Sequence, residues 1–399
     1  MNANADFTSE ARPGRAVSDD LRRGNVASVA RALLVDGPLA RAELAERLAL
    51  TRATVTRVVA QLLDVGLISE GEARRVAAGR PMIPLDLNAD RRAVISVHLG
   101  AFEVRIGLVD IRGRVLLEQR FAYAGTRPDE VCALISHGVD DVRASVPPDC
   151  RLLGLSASIG GWVDPASSEV VHYEPLGWAD VPLRDVIPDL GIPRRFDQLV
   201  RGLALAERMF GVARDRDDFV VLWSGNVLGA ASVSQGVVQH GLRGGAGEIE
   251  HLPTGVTGRT CPCGGRGCLG VIATDDAIRV EAEARGILRP GGSLRTFLRI
   301  VADDDEAALQ LLRERAAGFG HAAAVLADFR APELCVISGL ITTAPQYVDS
   351  FTSSLRTRSA LGDSLDVRRS EFGDQAPTIA SAAFLLDEYF RDPLAFEER

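Results

Sequence analysis

Four residues in the second half of the chain could together hold a metal ion. His251 precedes Cys261-Pro-Cys263-Gly-Gly-Arg-Gly-Cys268, which supplies one imidazole and three thiols. Such a set is a closed, tetrahedral complement suited to Zn2+. Gly264, Gly265 and Gly267 let the backbone fold tightly around an ion. A closed set leaves no position for substrate, so the expected role is structural rather than catalytic. The plainer alternative is a surface loop of reduced thiols; a redox pair fits less well, because Cys-x-Cys with two further ligands is poor dithiol chemistry. Cys132, Cys150 and Cys335 stand far apart in apolar stretches, so the six cysteines are not a disulfide framework. They point to a reducing compartment, the cytoplasm.

A second group of residues could read nucleic acid. Between Leu21 and Val58 stand Arg22, Arg23, Arg31, Arg41, Arg47, Arg52 and Arg57, against Asp36, Glu43 and Glu46, a local net charge of +4. This stands inside a chain whose 45 basic and 54 acidic residues give −9 overall. A basic module on an acidic body is the electrostatic footprint of phosphate contact by one part only. Thr51 would cap a helix whose first turn presents Arg52, Thr54, Thr56 and Arg57. In a helix-turn-helix those positions meet base edges, where arginine can fork onto guanine and threonine can meet thymine. Arg80, in Ala-Ala-Gly-Arg-Pro, sits where a wing tip could enter a minor groove. The alternative is a helical docking domain with solvated arginines.

These residues need elements to position them. Residues 1–18 are polar and aperiodic and are expected to form a disordered tail. Helical spacing predicts helices over Asn25–Val35, Arg41–Leu48 and Thr51–Val65, with Gly66 as a stop, and the winged helix-turn-helix is set at 19–85. The body, 86–399, opens with strand patterns near 93–100, 103–111 and 113–121, then a helix over 129–145 and a strand over 152–159. A helix at 199–210 and strands at 218–225 and 229–236 follow. Beyond the cysteine segment come helices near 273–287 and 305–330, a strand at 333–339, a helix at 345–357, a strand at 364–370 and a closing helix at 376–390. A meander followed by helices, twice over, predicts an α/β body of two lobes with a cleft between them. No sequence repeat accompanies it.

Composition narrows the classes further. The chain has 399 residues, is 46% hydrophobic and has a mean hydropathy of +0.08, enough for a sizeable core. No stretch approaches the roughly 18 apolar residues of a membrane span, and the first residues lack an apolar leader. All 45 basic residues are arginine, so no lysine can grip a phosphate or serve in catalysis.

The stretches LRRGN, GPLARAELAERLALTRATVTRVVAQLLDVGLI and GRP, followed by GWADVPLRD, ALAERMFG, GGAGEIEHLP and CPCGGRGCLG, resemble the ROK family of repressors, open reading frames and kinases. The likeness is to its sugar-responsive regulators with an N-terminal winged helix, and it runs from about residue 20 onward. It implies an actin/hexokinase-like fold, structural zinc on His251, Cys261, Cys263 and Cys268, dimers or tetramers, and an effector sugar in the cleft. Family kinases carry Asp-x-Gly-x-Thr where this chain has His98-Leu99-Gly100-Ala101-Phe102. They carry Glu-Asn-Asp where it has Asp197, Gln198 and Leu199, and leucine cannot take the sugar proton. The phosphate loop, Ser224-Gly225-Asn226-Val227-Leu228-Gly229, has valine for a middle glycine. Three losses in one mechanism predict no phosphoryl transfer.

Of the family's sugar contacts Glu248 and His251 remain, with Gln198 in place of asparagine; Glu250 replaces a glycine and Gly270 a glutamate. A changed ligand, less hydroxylated or bearing a phosphate that meets an arginine, is one expectation, and an empty pocket the other. Arg201 could line the pocket or sit on a solvated helix face. Trp162 and Trp178 could line the cleft or belong to the core. His172, His240 and His321 have no evident partner, and His98 reads as a tolerated replacement. The expected function is a DNA-binding regulator of the repressor type, acting as a homodimer or tetramer on a pseudo-palindromic operator, with no enzymatic activity and no membrane association. A sugar kinase with a fused DNA-binding domain and a ligand-independent regulator are the alternatives.

Overall fold

The computed structural model describes residues 13–73, 82–254 and 260–398. The chain divides into two compact units: residues up to Arg91 together with Leu386–Arg399, and Arg92–Leu385.

The first unit begins with α1 (Pro13–Asp36), β1 (Leu39–Ala40), α2 (Arg41–Arg47), α3 (Arg52–Asp64), β2 (Ile68–Glu70) and β3 (Pro84–Leu87). Val26, Val29, Ala30 and Leu33 recur at helical spacing and are buried, as are Leu44 of α2 and Val55, Val58, Val59 and Leu62 of α3. Each such valine or leucine contributes roughly 1.5–3 kcal/mol by leaving water, which is what fixes the three helices against one another. Gly66 adopts φ +65, a left-handed conformation open to glycine at little cost, and turns the chain from α3 into β2. The strands pair antiparallel in the order β1-β3-β2, a helical trio with a small sheet. The C-terminal residues complete it through ion pairs of Arg23 with Asp392 and Arg31 with Asp387.

The second unit holds two five-stranded sheets. Its elements are β4 (Arg92–Leu99), β5 (Glu103–Asp110), β6 (Val115–Ala122), α4 (Pro128–Ala144), β7 (Arg151–Ile159), β8 (Trp162–Asp164), β9 (Glu169–Tyr173), β10 (Trp178–Pro182), α5 (Leu183–Val186), β11 (Arg194–Gln198) and α6 (Leu199–Met209). There follow β12 (Phe219–Ser224), β13 (Leu228–Ser234), β14 (Val237–Val238), α7 (Gly270–Ala273), α8 (Asp275–Ala284), α9 (Leu294–Ala302), α10 (Glu306–Arg330), β15 (Leu334–Ser338), α11 (Pro345–Arg358) and β16 (Asp366–Arg369); α12 (Ala376–Arg391) begins in this unit and ends in the first, to which α13 (Pro393–Glu397) belongs. The sheets run β11-β7-β4-β5-β6 and β14-β13-β12-β15-β16. In each, the first three strands form an antiparallel meander and the next two add in parallel to the first strand's free edge. The two-lobed α/β architecture is therefore one topology used twice. β4 is buried along its whole length, as a central strand covered on both faces must be.

Several expectations shift. Helix α1 starts at Pro13 rather than near Asn25, so residues 13–18 are helical and not a tail. The boundary expected at 85/86 falls at 91/92, and the last residues group with the first unit rather than with the body. The small antiparallel sheet β10-β9-β8 and helix α9 had no counterpart in the sequence reading.

Candidate functional site

In the first unit, α3 carries the residues expected to read DNA. The Thr51 hydroxyl accepts the Thr54 amide at 3.1 Å and lies 2.9 Å from the Thr54 hydroxyl. Thr56 donates its hydroxyl to the Arg52 carbonyl at 2.8 Å. Thr51 and Thr54 are thus occupied in capping, and of the threonines Thr56 stands most free on the outer face. Arg52, Ala53, Thr56, Arg57 and Ala60 are exposed while Val55, Val58 and Val59 are buried, so one side of α3 faces solvent. Arg41 pairs with Glu70 at 2.8 Å and Arg47 with Asp36 at 2.6 Å; Arg23 and Arg31 pair with the C-terminal aspartates. Arg52 and Arg57 have no ionic partner among the described residues. Arg22 likewise has no ionic partner among the described residues, so the unpaired positive charge rests on Arg22 of α1 and on Arg52 and Arg57 on the exposed face of α3. Arg80 lies outside the described residues.

In the second unit, the donor atoms of His251, Cys261, Cys263 and Cys268 all lie within 4.8 Å of one another. Cys263 and Cys268 place their sulfurs 3.7 Å apart, and Cys261 Sγ lies 3.5 Å from His251 Nδ1. A tetrahedral centre with thiolate and imidazole ligands has S···S edges of ~3.8 Å and S···N edges of ~3.6 Å, so the residues present fit such an ion. With Nδ1 in the cluster, Nε2 is the nitrogen of His251 left for other contacts.

A continuous cleft lies beside the cluster. One part, about 680 Å³, is lined by Glu174, Glu248, Glu250, His251, His172 and Asp276, with Phe102, Tyr173, Pro175, Val227 and Val280 as apolar walls. The other, about 570 Å³, reaches from Phe102, Asn226 and Val227 to His98, Trp223, Asp275, Arg295 and Asp374. The turns after β4 and β12 supply its floor, which is where matching strand ends of two like sheets come together.

Of the expected ligand contacts Glu248 lines the cleft, whereas Gln198 is buried behind it, because both ends of its amide are taken within the protein: its Nε2 donates to Glu248 Oε1 at 2.6 Å. Burial, reinforced by the neighbouring Glu250 carboxylate against that hydrogen bond, pushes the Glu248 carboxyl up to about 7. Glu250, where the family has glycine, accepts the Leu228 amide at 2.8 Å. A carboxylate thereby occupies a loop N–H that an anionic ligand would need.

Arg201 fits neither sequence expectation. It neither lines the cleft nor faces solvent; it is 1% exposed. Its Nε donates to Asp197 Oδ1 at 2.8 Å, Nη1 to Gln198 Oε1 at 3.0 Å and to the Gly244 carbonyl at 2.7 Å, and Nη2 to the Val163 carbonyl at 3.1 Å. Asp197 is also 3.2 Å from His240 Nε2. Burial opposes its ionisation, but the hydrogen bond to His240 and the charge of Arg201 outweigh this and hold it below the usual range. His240 thus has a partner, and Asp197 is no free base.

The kinase-like end of the cleft is altered throughout. His98 is buried, its Nδ1 2.9 Å from Ser158 Oγ. Burial and the charge of Arg105 drive its imidazolium down to about 3, so it is neutral. Leu199 is buried at the head of α6. Asp275 is paired with buried Arg315 at 3.0 Å. Asp374 gathers Arg105 at 3.3 Å, Arg120 at 2.9 Å and Arg295 at 2.9 Å; these bonds overcome burial and bring its carboxyl down to about 2. The cleft tryptophan is Trp223. Trp178 is core, donating to the Thr126 carbonyl, and Trp162 donates to that of Arg243. These partners come from distant segments, so no local signal announced them.

The model of the ROK family matches residues 94–388. The chain belongs to the ROK family. The DNA-binding transcriptional dual regulator NagC of Escherichia coli K12 is 27% identical to it over 92% of this chain and 93% of that protein. The xylose repressor of Bacillus subtilis is 21% identical, covering 92% of this chain and 96% of its own length. A solved ROK family transcriptional regulator, a homologue of the E. coli MLC protein, superposes with a TM-score of 0.78 at 25% identity, over 95% of this chain and 99% of that one. The ROK match covers the two-sheet body, and these three relatives extend through the helical unit before it.

Proposed function

We propose that this protein is a DNA-binding transcriptional regulator whose body senses a sugar or sugar-derived ligand. The observation that carries the reading is the solvent-facing side of α3, where Arg52 and Arg57 are the arginines left without ionic partners. Phosphates and guanine edges are the natural acceptors for two free guanidiniums beside a capped helix start. Thr51 and Thr54 shape that start, Thr56 adds an exposed hydroxyl, and Arg80 is proposed as a further DNA contact. Three repressors or regulators aligned over nearly the whole chain support the same reading.

In the body, Glu248 and His251 would contact the ligand, with Gln198 behind Glu248. His251, Cys261, Cys263 and Cys268 would hold Zn2+, which when bound supplies a fixed structural node. His251 then keeps Nε2 as a hydrogen donor toward the cleft. Ligand binding shifts the population of lobe arrangements and with it the DNA affinity of a homodimer or tetramer. A two-fold assembly would select a pseudo-palindromic operator, and a DNA-bound regulator of this kind would act in the cytoplasm. No helix among the described residues is long and apolar enough to cross a membrane. Leu199, neutral His98 and the occupied loop amide favour a protein without kinase activity.

Affinity selection of genomic DNA fragments on the purified protein at physiological salt tests the reading. A small set of palindromic sites near transport or catabolic genes is the expected result. Diffuse enrichment, together with ATP-dependent phosphorylation of a sugar, would establish the fused kinase instead.

A further inference from the structure

We infer that Arg201 is a positioning residue that fixes Gln198, and through its amide the Glu248 carboxyl that lines the cleft, and withholds its own charge from the cleft, so that the ligand is a hydroxylated or aminated sugar rather than its phosphate ester. The inference rests on the reading that the cleft is the effector site. An unrestrained glutamine amide can turn either end toward a neighbour. Here Arg201 Nη1 holds Oε1 at 3.0 Å, so Nε2 must face Glu248, 2.6 Å away. The amide orientation is set by a guanidinium that has itself no freedom. Asp197, the Gly244 carbonyl and the Val163 carbonyl take its remaining donors.

Gly244 matters to this arrangement. It adopts φ +73, and a Cβ there would collide with the Val163 carbonyl that Arg201 binds. The backbone is thus shaped to bring two carbonyls onto one guanidinium.

Charge decides the ligand class. The part of the cleft beside Glu248 is lined by Glu174, Glu248, Glu250 and Asp276, with no arginine among the described lining residues. The arginines of the adjoining part are already paired: Arg105 and Arg295 with Asp374, Arg279 with Asp276 and Glu283. A phosphate dianion would meet the carboxylates of Glu174, Glu248 and Glu250 and find no arginine free of an acidic partner among the described lining residues. Hydroxyls and an ammonium, by contrast, donate to the acceptors presented.

Calorimetry on the full-length protein with glucosamine, N-acetylglucosamine, xylose and the 6-phosphates of the two amino sugars provides the first test. Each phosphate is expected to bind about tenfold or more weakly than its parent, the penalty of one uncompensated charge contact in a partly screened site. Equal or tighter binding of the phosphates would overturn the inference. The second test needs no ligand. The Gln198 side-chain amide, assigned by its loss in Gln198→Leu, is followed by hydrogen exchange in wild type and in the charge-neutral pair Asp197→Asn/Arg201→Gln, with circular dichroism confirming the fold. Slow exchange in wild type and about tenfold faster exchange in the pair supports the positioning role; equal rates refute it. Should the pair fail to fold, Arg201→Lys replaces it, because lysine keeps the charge but cannot bond Asp197, Gln198 and both carbonyls at once. If no panel sugar binds at millimolar concentration while the amide responds as expected, the effector reading fails and the role of Arg201 stands.

Discussion

The two ends of the cleft have fared differently. At one end, His251 and three cysteines keep donor spacings that match a tetrahedral ion. At the other, the positions where ROK kinases carry catalytic groups hold a neutral histidine and a buried leucine. The same strand turns build both ends, and on the proposed reading the cavity is kept without the charge complementarity that phosphate transfer needs. A fold can therefore keep its cavity and lose its chemistry, because packing tolerates substitutions that a transition state does not.

The sharpest way to break this contrast is at the metal end. Cys263→Ser should lower bound zinc from about one ion per chain to near zero, read by atomic absorption, and abolish any ligand-dependent change in DNA binding. Metal-free protein that responds normally would show that the cluster and the cleft are independent. Chelation of the wild type should give the same phenotype, reversibly.

DNA recognition should be the next largest effect. Arg52→Ala is expected to cost about 1–3 kcal/mol at a preferred site if the side chain reads a base edge. A loss uniform across sequences would make it a phosphate contact, with a shallower salt dependence. Arg57→Ala separates the two roles on the same helix face.

At the opposite end of the cleft, the clasp on Asp374 should show in acid. Its carboxyl lies at about 2 in the folded protein, below the ordinary value, so its stabilising contribution is present above about pH 4. That contribution is lost as pH falls toward 2. Asp374→Asn should flatten this part of the stability profile measured by denaturant melts, and an unchanged profile would show the three arginines to be idle there.

The smallest effect concerns Glu248, whose sign is opposite. A carboxyl raised to about 7 binds its proton more tightly when folded, so its contribution to stability is greatest below about pH 4.5. It falls away as pH rises toward 7. Glu248→Gln should remove that slope while preserving size; a slope that persists would assign it to another group.

Much of this was readable without coordinates. The expected recognition helix, Thr51–Val65, differs from α3 by its two capping residues, because Thr51 and the Val55/Val58/Val59/Leu62 spacing are local signals. The metal set and the paired meanders were legible for the same reason. The sheet β8–β10 has no clear sequence signal because its strands are three to five residues long, too short to show an alternation, and are separated by segments holding Pro165 and Pro175. The inward turn of Arg201 was illegible in principle: two of its acceptors, Val163 and Gly244, stand about forty residues away on either side. An arginine in sequence looks the same whether it will meet water or four buried oxygens.

The composition of the helical unit has a consequence for biosynthesis. Arg23 and Arg31 find their partners, Asp392 and Asp387, in a segment that leaves the ribosome some three hundred residues after Arg91. Domains usually mature in the order in which they emerge. Here the part that emerges first cannot finish until the body has been threaded between its two pieces. A chain stalled or clipped before Asp387 would therefore carry a helical unit lacking two of its ion pairs and its last helix.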